Sequence, residues 1–220
     1  MKPNLSIEAL KKEAKAFASL LSKQPIDKLY GINDGKKVGT YVEIQLNEYL
    51  TDRFTYLHGS AANGVDIPEL LVDVKATSKK QPQSSSPFQN SAQKVYGLGH
   101  HLLVFVYDKK DDSVTQTTTL QIEEVIFVHK EQTGDSQTTK GLRGILKRDG
   151  TKEDIVAFLE ERNLILHEEG MEALAERILK DPPEQGYLTI SNALQWRLQF
   201  GHAIKHAKLQ DASGVENLLA

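Results

Sequence analysis

Residues 70–78, Leu-Leu-Val-Asp-Val-Lys-Ala-Thr-Ser, place two charges inside a run that otherwise reads as a buried strand. Leu70, Leu71, Val72 and Val74 imply burial on both faces. That condition is met in a sheet covered by helices on both sides. A charge in such a strand is costly unless it is paired or bound to a metal, so Asp73 and Lys75 need a chemical explanation. Side chains alternate along a strand, so these two share one face. A third charge, Asp66, follows Gly64-Val65. If residues 64–67 and 70–77 form a hairpin around Pro68-Glu69, Asp66 faces Leu71 and lies diagonal to Asp73, roughly 7–8 Å away at the backbone. Pro68 does not fit the favoured two-residue turns, which points to a wider loop of the same parity. A three-residue loop would send Asp66 to the opposite face.

Two carboxylates and a lysine on one face suit one kind of chemistry. Carboxylate oxygens are hard donors that suit Mg²⁺, an ion that keeps several waters and accepts phosphate oxygens. Such an ion activates water and offsets charge on phosphorus. A lysine two residues on orients the water or stabilises the oxyanion. The bland alternative is a surface ion pair on an exposed strand, worth little. The apolar neighbours argue for a buried acid cluster and a catalytic site.

These residues resemble the PD-(D/E)xK nuclease signature, with Asp66 as the first acid and Asp73-Val74-Lys75 as the second acid and lysine. Ala76-Thr77-Ser78 resembles the small polar continuation in type II restriction endonucleases. Asp66 follows valine instead of proline, and the gap between the acids is short. The resemblance covers about residues 38–108. It implies an α/β fold with a central mixed sheet flanked by helices, Mg²⁺ at Asp66 and Asp73, and Glu43 on the preceding helix as an accessory ligand. It also implies a homodimer cutting a short, palindromic double-stranded DNA sequence.

The chain has 220 residues, which fits one nuclease domain, with a catalytic core at about 38–130 and a helical part at about 151–220. There is no cysteine, which excludes disulfides and thiolate zinc sites and fits a cytoplasmic protein. No apolar run is long enough to span a membrane, and Met1-Lys2-Pro3-Asn4 lacks the core of a signal peptide. The net charge of −3 does not advertise a nucleic-acid binder. A local basic stripe decides that question, not the sum. Its candidates are Lys79, Lys80, Lys140, Arg143, Lys147, Arg148, Arg197, Lys205 and Lys208.

Apolar spacing predicts helices at 6–23, with Ser6 as N-cap, and at about 40–54. In the second, Thr40-x-x-Glu43 is a capping box, which would explain Glu43 without catalysis. The stretch 79–90 is polar and proline-punctuated, either a surface connector or a DNA contact through Gln83, Ser84, Ser85 and Ser86. A short helix at 91–97 carries Gln93, read as a solvated face. Strands follow at 102–107, 115–122 and 125–129. His100 and His101 point to opposite faces and are read as structural or DNA-facing, not as ligands. Around Lys140-Gly141-Leu142-Arg143-Gly144, glycine beside arginine permits close approach to phosphate, against a plain glycine-rich hairpin. Helices are expected at 151–161, 171–179 and 191–206, with Trp196 in the core or a dimer interface. Two other functions stay open: a structure-selective repair or junction nuclease of the same fold, and a DNA-binding domain without catalysis.

Overall fold

In the computed structural model, which describes all residues but 1, 60–63, 86–89, 163, 165–167 and 192–196, regular elements alternate along the chain. They run α1 (Ile7–Leu21), α2 (Gly35–Thr51), β1 (Val72–Ser78), β2 (Gln83–Ser85), α3 (Gln93–Tyr96), β3 (His101–Asp112) and β4 (Thr117–Val128). Then come α4 (Ser136–Lys147), α5 (Lys152–Glu161), α6 (Glu168–Lys180), β5 (Thr189–Ile190), β6 (Arg197–Gln199), α7 (Gly201–Leu209) and β7 (Val215–Asn217).

The main sheet has the order β1-β3-β4-β7. Strands β1 and β3 are parallel, with Asp73 level with Leu102 and Lys75 level with Val104. The other two pairings are antiparallel, so the sheet is mixed. The apolar run in β3 serves both faces by alternation. Leu103, Phe105 and Tyr107 join α1 and α2 in one core, and Leu102, Val104 and Val106 join Phe200, Ala203 and Ala207 in the other. Phe17 meets Phe105 edge to face at 5.7 Å, a favoured aromatic geometry.

Helix α1 starts as its sequence indicates, with Ser6 Oγ accepting from the Ala9 N–H at 3.2 Å. Helix α2 begins earlier than expected. Asp34 is its N-cap, accepting from the Lys36 N–H at 2.9 Å. Thr40 and Glu43 therefore lie inside the helix, and the capping-box explanation of Glu43 falls away. Val38, Val42, Leu46 and Leu50 form its buried stripe.

The two strands expected at 115–122 and 125–129 are one, β4. Glu123 and Glu124 break the apolar pattern but not the strand. Tyr107 pairs with Ile122 and Val106 with Glu124, so Glu123 is the extra residue of a bulge. Both acids have partners: Lys79 Nζ lies 2.6 Å from Glu123, and Lys208 Nζ lies 2.7 Å from Glu124.

The C-terminal third departs further from expectation. Of the helix expected over 191–206, residues 197–199 form β6 and the helix α7 starts only at Gly201; Leu198 and Phe200 are fully buried two residues apart, the spacing of a strand. Trp196 lies outside the described residues. Strands β2, β6 and β5 form a second, antiparallel sheet. The segment around Lys140 is helix α4, not a hairpin, capped by Asp135, which accepts from the Thr138 N–H at 2.9 Å. Gly141 is packed against the next helix. A Cβ there would stand 2.2 Å from Phe158 Cζ, so the glycine permits close packing of α4 on α5.

Candidate active site

The first acid reaches the second through a tight turn. Ile67 and Val72 form an antiparallel bridge, their N–H groups donating to each other's carbonyls at 2.9 and 3.2 Å. Pro68–Leu70 make one 3₁₀ turn, and Leu71 closes it in the left-handed region with φ 52°. The loop is thus wider than two residues and keeps the expected parity. The register moves by two, so Asp66 stands level with Asp73 instead of diagonal to it. Residues 64–66 form no regular strand; Asp66 is fixed by its side chain, whose Oδ2 accepts from the Val74 N–H at 2.7 Å.

Asp73 is 3% exposed. Lys75 Nζ lies 2.6 Å from each of its carboxylate oxygens, as two residues on one strand face allow. His100 Nε2 lies 3.7 Å from Asp73 Oδ2, an electrostatic contact too long for a hydrogen bond. That Nε2 is buried without a hydrogen-bond partner. His101 goes elsewhere. Its Nδ1 accepts from the Lys130 N–H at 3.1 Å, and its ring stacks on Phe127 at 5.4 Å. The two histidines diverge, as expected, but His100 turns to the acid pair.

The carboxylates titrate apart. Burial pushes Asp66 up to about 7, and the adjacent Asp73 and more distant Glu43 add to the shift, against the Val74 N–H. Burial alone would raise Asp73 too, but His100 and Lys75 outweigh it and hold that carboxyl below its usual range. Like charges packed this closely drive their titrations apart.

Along β1, between α2 and the second sheet, runs a cleft of about 620 Å³. Lys75 and Glu43 line it, as do Gln83, Ser84 and Ser85. Ser86 lies outside the described residues. Lys79 is bound to Asp108 at 3.0 Å and Glu123 at 2.6 Å, so its charge is already matched. Lys80 is exposed beside it. Lys140 and Arg143 do not line this cleft. They sit on α4, and Arg143 donates to the Pro183 carbonyl at 2.9 Å. Two cleft cations escaped a site assignment from sequence: Lys36, at the start of α2, and Arg197, noted only for its charge.

Among the described residues, no three His, Cys, Asp or Glu side chains gather as ligands of one ion. Asp66 and Asp73 are close enough to interact. Asp66 is held against its own ionisation beside a second acid, a conflict that a divalent cation removes. Two protein carboxylates, with water and phosphate completing the shell, are the donor set that Mg²⁺ takes. The residues present therefore fit such an ion.

A family model described as type II restriction enzyme NspV matches residues 4–217. The type II restriction enzyme NspV of Nostoc sp. is 50% identical over 207 residues, 94% of each chain. Among solved structures, tetrameric restriction endonuclease SfiI bound to cognate DNA aligns with a TM-score of 0.38 and 12% identity, over 99% of this chain and 88% of that one. Among the described residues, no helix is long and apolar enough to cross a membrane.

Proposed function

The chain belongs to the type II restriction enzyme NspV family, and we propose that it hydrolyses double-stranded DNA at one short sequence, with Mg²⁺, as a homodimer. The observation that carries this reading is the Asp66–Asp73–Lys75 cluster, whose Lys75 lines the cleft while Asp73 is buried behind it. Asp66 and Asp73 would hold the cation, which when bound would supply water activation and positive charge at the phosphate. Lys75 presents its ammonium on the same strand face, where it orients the attacking water and offsets charge developing on the phosphate oxygens. Its tie to Asp73 fixes that ammonium in place before substrate arrives. Glu43, lining the same cleft and adding to the shift of Asp66, is an accessory carboxylate. Gln83, Ser84 and Ser85 contact the duplex, and Lys80 contributes to phosphate attraction. Two-fold symmetry of two subunits matches a palindromic target. The whole chain serves as one nuclease domain.

Incubating plasmid with the enzyme over a range of Mg²⁺ concentrations, then sequencing the ends, tests this. Discrete fragments ending at one sequence, and none with chelator, are expected. Cutting confined to branched or damaged DNA would replace the reading with a repair nuclease. Binding without any cutting would leave a DNA-binding domain.

A further inference from the structure

The second sheet has an inner and an outer side. Leu198 and Ile190 pair across β6 and β5 and bury in the core that holds Phe200. Alternation turns Arg197 and Gln199 the other way, and both are exposed. On β2, Ser85 is level with Arg197, and Gln83 with Gln199. One face of the β2–β6 pair, two strands of this three-stranded sheet, thus carries two glutamines, a serine and an arginine. Gln83, Ser85 and Arg197 line the cleft that holds Lys75 and Glu43. Unlike Lys79, Arg197 has no acidic partner among the described residues. Its guanidinium is free for a ligand, on a strand whose next residue is locked into the core.

We infer that this face reads bases in the major groove, with Arg197 donating two N–H groups to O6 and N7 of one guanine in the target. The inference rests on the proposed restriction activity. The major groove admits a pair of strands, here β2 and β6 with only the two-residue β5 beyond them, and its guanine edge offers two acceptors that match the planar fork of arginine. Glutamine beside it matches the donor–acceptor edge of adenine. A phosphate contact would use the same fork but carry no sequence information. The strand pair also joins the base reader to the chemistry: β2 follows β1 after a short turn, so a mismatch felt at Arg197 displaces DNA from Lys75.

The target sequence is first read from the ends of plasmid digests. Each of its guanines is then replaced in turn by 7-deazaguanine in short duplexes. Single-turnover cleavage is measured for wild type, Arg197→Ala and Arg197→Lys. Loss of N7 at one guanine should slow the wild type by about 5–150-fold. Arg197→Ala should be slowed similarly on the unmodified duplex and lose nothing more at that position. Arg197→Lys, which keeps the charge and the strand, should behave like Arg197→Ala, while both variants bind random duplex nearly as the wild type does. Wild-type rates for Arg197→Lys, equal loss on cognate and random duplexes, or a target without guanine would each overturn the inference. A wild type that cuts no DNA removes the restriction reading and this inference together. A wild type that cuts while the variants stay fully sensitive to every 7-deaza substitution removes the inference alone.

Discussion

Replacing Asp66 with Asn removes a charge that the fold holds at a cost. Burial and Asp73 raise the folded carboxyl from 3.8 to about 7. A raised acid costs nothing below its unfolded pKa, where both states are protonated. The cost grows as the unfolded chain ionises and is complete once pH passes about 7. At about 1.36 kcal/mol per pH unit, the span caps the cost at about 4 kcal/mol. Solvent screening and the weaker bond from the Val74 N–H to an amide oxygen reduce this to roughly 1–3 kcal/mol. Asp66→Asn should therefore be more stable than wild type by that amount near pH 8 and gain almost nothing near pH 4. Urea unfolding with chelator at the two pH values measures it. Saturating Mg²⁺ should then stabilise the wild type and not the variant, because only the wild type binds it tightly. Cleavage should be lost. A variant less stable at pH 8, or one with the same gain at both pH values, would refute the reasoning, since charge would not be the source.

Three further outcomes follow from the same geometry. Lys75→Ala should slow single-turnover cleavage by about 10²–10³ at saturating Mg²⁺, the size of one lost oxyanion donor; full recovery with excess Mg²⁺ would make the lysine a brace for Asp73. Glu43→Gln should leave the melting temperature unchanged, because Asp34 caps α2, yet reduce cleavage; unchanged cleavage takes Glu43 off the site. His100→Ala removes a group that lowers Asp73, so the acid limb of the pH–rate profile should move to higher pH, and an unmoved limb would make His100 packing alone.

Much of the site was readable because strand parity is strict. Asp73 and Lys75 had to share a face, and a loop of even parity had to bring Asp66 to them. The register itself was not readable: a 3₁₀ turn ending in left-handed Leu71 leaves no mark in a Pro-Glu-Leu-Leu segment. The both-face burial of β3 was equally plain from an unbroken apolar run. Where the reading failed, two local patterns competed. Asp34 and Thr40 are both good caps, and only packing of Val38 selects the first. Leu198, Phe200 and Ile204 suit a helix as well as a strand leading into one, and pairing with β2 decides it. Gly141 read as freedom to approach a ligand, but its neighbour Phe158 comes from the next helix. The cleft was least legible of all. It exists because β2 and β6, distant in sequence, pair and carry Arg197 to the cleft that β1 lines.

The most direct test is the single-turnover cleavage rate of Asp73→Asn on the cognate duplex at saturating Mg²⁺, with binding measured alongside. The substitution keeps the shape of the second acid and removes its charge. With binding within a few-fold of wild type, the rate should fall to background. Cleavage near the wild-type rate, in a variant shown to be folded, would contradict the claim that Asp66, Asp73 and Lys75 form the catalytic centre.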